Sequence, residues 1–411
     1  MPPGQPDGLR DANRHSRNKT GHPSKGSHNR KKTAMNLTTA HNEWASRPAD
    51  QRFQTLDALE ASVLARRTLA KTCNVKLGDM TIKEVAGRAG IPTLAFNGML
   101  MPAEPTHWAF GQVCAAIRAP AAYLRTMPTE IAAKCINIGI AKNGDEDVKL
   151  MTLSDPDGGL NRLQAMTSPK YGRIWDADVV GAVKRIVDKT GGRFYNPKAY
   201  AAGKFGAAPE PSGLYASDHD VFAFLIDGGS DFDAGPRAQL NRGFIVWNSE
   251  VGSRTLGIQT FLFNRCCGNH IIWDASEVNT LLLRHSGGAP ARFDAEAMPH
   301  LLTYINASAK PVEDMVRAAQ GTPLLGLLPA AALVTKVEDE NFPKAFTTRF
   351  SKFTRGEVKE AVAAAIREEG QCASLWDMVQ GLTATARSYE WIDARMGLEA
   401  RAGELLNLAN N

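Results

Sequence analysis

Side chains able to do chemistry gather in two stretches of this chain. Asp218, His219 and Asp220 stand together, and Asp227, Asp231 and Asp233 follow within a glycine-rich segment. Carboxylates grouped in this way can hold Mg²⁺ for hydrolysis of a nucleic acid. The second group lacks the ligand order of a calcium loop, so solvated turn residues are its ordinary reading. Further on, Cys266, Cys267 and His270 have metal-ligand chemistry. Neighbouring residues of a strand point to opposite faces, however, and no CxxC pair supplies a fourth ligand, so no metal is expected there. Cys267 with His219 or His270 could form a nucleophile and base, although a buried structural thiol is the simpler account. GxxxxGK[ST], HExxH and GxSxG patterns are absent from the sequence, which lowers the standing of the familiar NTPase, zincin and hydrolase classes. No catalytic residue and no cofactor is assigned; whether the chain is an enzyme stays open, with non-enzymatic binding favoured.

The elements that must position these groups centre on Arg242 to Asp274, RGFIVWNSEVGSRTLGIQTFLFNRCCGNHIIWD. Runs rich in β-branched and aromatic residues predict strands near 220–227, 243–248, 255–264 and 270–273. Asn248 to Ser253 has the turn-forming residues of a hairpin connection, and Gly252 is the position expected at positive φ. Asp274 to His285 reads as a helix, because Asp274 and Glu277 have capping-box spacing and Val278, Leu281, Leu282 and His285 share a face.

Alternation along 255–264 sets Leu256, Ile258 and Leu262 on a core face. It sets Gln259, Phe261, Phe263 and Arg265 on the other. That second face is either the far side of a packed sheet or a platform on which bases stack beside phosphate contacts. On the platform reading the candidate nucleic-acid contacts are Arg242, Asn248, Glu250, Arg254, Gln259, Phe261, Phe263, Arg265, Asn269 and His270. Tyr171 and Arg173 join them from the rigid turn SPKYGR.

Composition bounds the rest. A chain of 411 residues with 43% hydrophobic content can bury a large core. Its net charge is +5, but residues 1–34 hold eight Lys/Arg against Asp7 and Asp11, which leaves the remainder at −1. That basic, apolar-poor segment is expected to be disordered. It is either a nucleic-acid-binding arm or sequence upstream of a second start at Met35. The longest apolar run, Pro323 to Val334, falls short of a membrane span, and six scattered cysteines suit a reducing cytoplasm.

From Met35 onward the pattern is that of a folded protein. Thr55 to Lys71 and Asp176 to Lys189 read as helices, Lys149 to Leu153 as a strand, Asn74 to Met101 as strands and loops, and Tyr195 to Gly213 as a long loop. Helical stripes then recur over 299–308, 311–320, 355–369, 374–387 and 391–408. The expected class is α+β, an antiparallel sheet packed with helices. The expected organisation is a tail at 1–34, an α+β domain at 35–310 and a helical region at 311–411.

GFIVWNSEVGSRTLGIQTFLFNRCCGNHIIW, preceded by SGLYASDHDVFAFLID and followed by SLWDMVQGLTATARS, resembles the phage/plasmid-like protein family, built on a bacterial domain of unknown function carried by mobile elements. EWASRPADQRFQTLDAL, from Glu43, resembles the start of such proteins. The doubled Cys266-Cys267 and His270 depart from the family pattern, and residues before Met35 match nothing in it. The strand-strand-strand-helix order is also similar to phage single-strand annealing proteins. The resemblance implies a mobile-element protein, for which single-stranded DNA binding or annealing in phage or plasmid recombination or transfer is the function expected here, with self-association open. A metal-dependent nucleic-acid enzyme and an interaction protein that blunts host defence are the alternatives.

Overall fold

The computed structural model describes residues 51–86, 92–97, 102–196, 213–230, 232–233, 239–264, 270–273, 280–324, 350, 352–386, 388, 398, 401–406 and 409. The basic segment 1–34 and Cys266, Cys267 and Asp231 lie outside the described residues. The class is α+β, with two mostly antiparallel sheets and a helical carboxy-terminal region. Among the described residues no helix is long and apolar enough to cross a membrane.

The larger sheet has the order β1 (Arg52–Phe53), β9 (Leu214–Ala216), β10 (Val221–Asp227), β12 (Gln239–Asn248), β13 (Leu256–Asn264) and β14 (His270–Trp273). Three short strands attach at its sides, β8 (Phe194–Tyr195), β11 (Phe232–Asp233) and β15 (Leu281–Leu283). The four expected strands are all present. Of the expected helix over 274–285, residues 274–279 lie outside the described residues, and Leu281–Leu283 pair instead with Leu256–Ile258 as β15. At those three leucines a ladder with a neighbouring strand overrides the helical stripe.

One face of this sheet carries Val221, Ala223, Leu225, Phe244, Val246, Leu256 and Ile258 under three helices, α1 (Leu56–Leu69), α4 (Asp176–Lys189) and α5 (Met298–Asn306). Farther along the same face, Leu240 and Leu262 meet a second core built by α6 (Lys310–Gly321), α7 (Arg355–Glu369) and α8 (Leu375–Ala386). The opposite face is aromatic: Tyr215 stacks on Phe222 at 5.0 Å and Phe224 on Phe261 at 4.5 Å. Gly257 and Gly243 make room there, since a Cβ would come within 2.0 Å of the Trp247 ring and 2.2 Å of the Phe261 ring.

The smaller sheet has the order β2 (Ala70–Lys76), β6 (Asp147–Leu153), β7 (Asn161–Thr167), β5 (Ala103–Pro105), β4 (Pro92–Asn97) and β3 (Thr81–Ala86). Helices α2 (His107–Ala116) and α3 (Thr129–Lys142) cover one face through Ala109, Val113, Ile136 and Ile140. Thr106 starts α2 by accepting from Ala109 N at 3.1 Å. Its other face receives Val251, from the turn between β12 and β13, against Met151, Leu153 and Ala165. That turn is therefore where the two sheets are keyed together.

Candidate functional site

Residues 248–253 leave β12 and enter β13 through a backbone held at both ends and in the middle. Gly252 has φ +86°, a conformation that a β-branched residue strongly disfavours. Three successive carbonyls are each bound by a side chain from outside the hairpin. The Tyr171 hydroxyl donates to Ser249 O at 3.0 Å, Arg173 donates to Glu250 O, and Gln112 Nε2 and Trp108 Nε1 donate to Val251 O at 2.7 and 3.2 Å. A buried turn needs such partners, because an unpaired carbonyl away from water is costly.

Beneath the turn lies a charge cluster. Arg66, from α1, places Nη2 2.6 Å from Asp176 Oδ2 and Nε 3.1 Å from Glu250 Oε1. Asp176 opens α4, where the helix dipole favours a carboxylate, and accepts from Asn248 Nδ2 at 2.7 Å. Its own N–H donates to Glu250 Oε2 at 3.1 Å. Asp176 is 1% exposed and Glu250 3% exposed. Burial first and the neighbouring Glu250 charge second push the Asp176 carboxyl up to about 8, against the opposing pull of Arg66 and Asn248. Two buried carboxyl groups, those of Asp176 and Glu250, around one guanidinium make a structural joint rather than a surface that substrate can touch.

The solvent side of this joint is different. Ser217 Oγ donates to Asp220 Oδ1 at 2.6 Å, and Asp220 Oδ2 lies 3.1 Å from Arg254 Nε. His219 Nδ1 is 2.7 Å from Asp218 Oδ1 and its Nε2 is 3.6 Å from Asp220 Oδ2. The hydrogen bond from His219 holds the Asp218 carboxyl below its ordinary value, with the charges of His219, Arg162 and Arg66 adding to it against partial burial. Ser249 Oγ and Ser253 Oγ both donate to His219 O, at 2.6 and 2.9 Å, and Gln164 Nε2 donates to Asp218 O at 2.5 Å. The 217–220 segment is thus fastened to the hairpin turn and to β7 together. Its one-third-exposed imidazole stacks on the indole of Trp108, ring centroids 6.2 Å apart and 16° from parallel. Arg162 of β7 is partly exposed, and its side chain forms no hydrogen bond or ion pair with any described residue, although its charge acts on Asp218.

Of the residues singled out by sequence, Asn248, Glu250, Tyr171 and Arg173 do come together at the turn, with Arg254 at its rim. All but Arg254 serve to hold the turn. Gln259, Phe261 and Arg242 do not belong to this group and are buried at 8%, 2% and 2% exposure. Phe261 is stacked against Phe224, and Arg242 lies over the Tyr304 ring at 5.2 Å with Nη2 3.4 Å from Asp227. A base cannot stack on Phe261 without opening the sheet, so the described half of the expected platform is a second packed face. Phe263 and His270 are placed in strands, but their side chains lie outside the described residues, as do Arg265 and Asn269. The carboxylates of Asp218 and Asp220 are committed to His219, Ser217 and Arg254. Among the described residues no group of three or more His, Cys, Asp or Glu side chains could hold a metal ion.

Sequence reasoning missed Trp108, Gln112, Arg162, Gln164 and Arg66. Each sits on a helix or strand far along the chain from the turn it serves, and no local spacing announces it. No family model, curated protein or solved structure matches this chain.

Proposed function

We propose that the protein binds single-stranded nucleic acid at the rim where the two sheets meet, with single-stranded DNA of a mobile element as the expected partner. The observation that supports this reading most is the partly exposed Trp108–His219 ring stack, flanked by Arg162, whose guanidinium has no hydrogen bond or ion pair among the described residues, and by Arg254. Aromatic faces stack any base, and cations beside them contact the backbone phosphates, which is how single strands are held without sequence preference. The surface has few cations, so affinity is modest and the salt dependence shallow. Its rigidity favours binding, because the Asp176–Arg66–Glu250 joint and the clamped carbonyls of Ser249, Glu250 and Val251 fix the rings before any ligand arrives.

The test is the salt dependence of binding to a fluorescent single-stranded oligonucleotide. Binding that weakens with added salt by a slope of about 0.7 per phosphate contact is the expected result. Arg162→Ala is expected to lower that slope by roughly one contact while leaving thermal stability unchanged. Absence of binding at low salt would remove the proposal.

A further inference from the structure

The Arg66 guanidinium serves two places at once. Its Nη2 and Nε reach Asp176 Oδ2 at 2.6 Å and Glu250 Oε1 at 3.1 Å inside the joint, while Nη1 donates to Ser217 O. Ser217 begins the segment that carries His219 to the face of Trp108. Glu250 reaches that segment from the other side, because Ser249 and Ser253 of the same turn donate to His219 O. Two ties of the 217–220 segment therefore run back to the joint, and a third, from Gln164 to Asp218 O, comes from β7.

The charge inside the joint turns on one proton. Asp176 and Glu250 are both buried and share Arg66. With a proton on Asp176, that guanidinium is matched by the Glu250 carboxylate. Without it, two like charges compete for Arg66 away from water, a strain that separation or entering water relieves. Other groups face Asp176 as well. Asn248 donates to it and carries no charge, the buried Tyr171 hydroxyl stays neutral, and Asp220 adds a more distant negative charge. Arg173 adds a positive charge, but its hydrogen bond goes to the Glu250 carbonyl, outside the carboxyl pair. The balance of burial, Glu250 and Arg66 leaves the Asp176 carboxyl at about 8.

We propose that this joint is a proton latch on the rim: protonated Asp176 keeps the 217–220 segment fastened for single-strand binding, and ionised Asp176 loosens it through Arg66 and the turn. The latch rests on the reading of the rim as a single-strand site. Ionisation slackens two ties of the ring stack and sets a negative charge behind it. Both changes weaken the hold on a phosphodiester strand, so they act in the same direction. By reciprocity, a bound strand that needs the fastened rim raises the proton affinity of the joint by the same factor.

The experiment uses the full chain beside Asp176→Asn and Glu250→Gln, each of which replaces one carboxyl of the pair by a neutral amide. Two readouts are taken at fixed salt between about pH 6 and pH 9: affinity for a fluorescent single-stranded oligonucleotide, and hydrogen exchange of residues 214–222 without it, divided by the intrinsic rate. In the wild type, affinity and protection should both fall as pH rises through about 8, the affinity by at most about tenfold per unit for one proton. Both variants should remove that fall, and Asp176→Asn should bind as the wild type does at the low end. His219 titrates in all three proteins, so the ratio to wild type isolates the joint. Protection that falls in the wild type alone, with no oligonucleotide bound at any pH, would keep the latch and remove the rim as a binding site. Parallel binding profiles in all three proteins would overturn the latch and leave the binding site standing. Wild-type protection unchanged across the range, a measurement that needs no variant to fold, would overturn it too.

Discussion

A carboxyl held above its ordinary range should make stability fall as pH rises, and replacing Asp176 by Asn should flatten part of that fall. The Asp176 carboxyl is raised from 3.8 to about 8 in the folded chain, by burial and by Glu250. Below the lower value both folded and unfolded chains hold the proton, and the full stability is present. Between the two values the folded chain keeps the proton and the unfolded chain releases it, so stability drops as pH climbs and levels off above the higher value. Each pKa unit is worth about 1.4 kcal/mol, so the loss across this window amounts to several kcal/mol at most. The amide that Asp176→Asn introduces can still accept from Asn248 through its oxygen, and it has no proton to lose. The assay is urea unfolding of both proteins at pH values spaced between about 5 and 8, where other titrating groups cancel in the difference. The wild-type minus variant stability should decline with pH by up to about 1.4 kcal/mol per unit. Parallel curves would refute the claim that Asp176 holds a proton inside the joint.

Two further substitutions probe the packing. Gly252→Val forces a β-branched residue to φ +86° and should lower the urea midpoint by an amount corresponding to about 1–3 kcal/mol, whereas a variant with unchanged midpoint would mean that the turn relaxes freely. Phe261→Ala removes a ring stacked 4.5 Å from Phe224 and should cost about 3–5 kcal/mol in the same assay. A stable Phe261→Ala protein with weakened oligonucleotide binding would return that face to the ligand.

The larger sheet was legible because its strands are long and apolar. Val221–Asp227, Gln239–Asn248 and Leu256–Asn264 are bounded by turn residues, and even the positive φ of Gly252 could be read from its place after Asn248. The amphipathic helix Asp176–Lys189 appears with the bounds its apolar stripe sets. The smaller sheet was legible only in pieces. β2 is mostly exposed and carries no alternation of apolar and polar residues, and Asn161–Thr167 has too few β-branched residues to stand out. At Leu281–Leu283 three leucines fit a helix stripe as well as a strand, and pairing with β13 decided between them. The site was the least legible part. Arg66 and Asp176 are separated by 110 residues and Trp108 lies about as far from His219 in sequence, so the joint and the ring stack arise from tertiary placement that periodicity cannot express. Reading Phe261 as a base platform failed for a related reason: alternation distinguishes two faces of a strand but not whether the second is also covered.

The most direct test of the proposed function is where a bound strand touches the protein. A single-stranded oligonucleotide carrying 5-bromodeoxyuridine, irradiated in complex with the full chain and mapped by mass spectrometry, should form its adducts on Trp108 or His219, and His219→Ala should reduce their yield. Adducts confined to other surfaces, with Trp108 and His219 unmodified, would contradict the account.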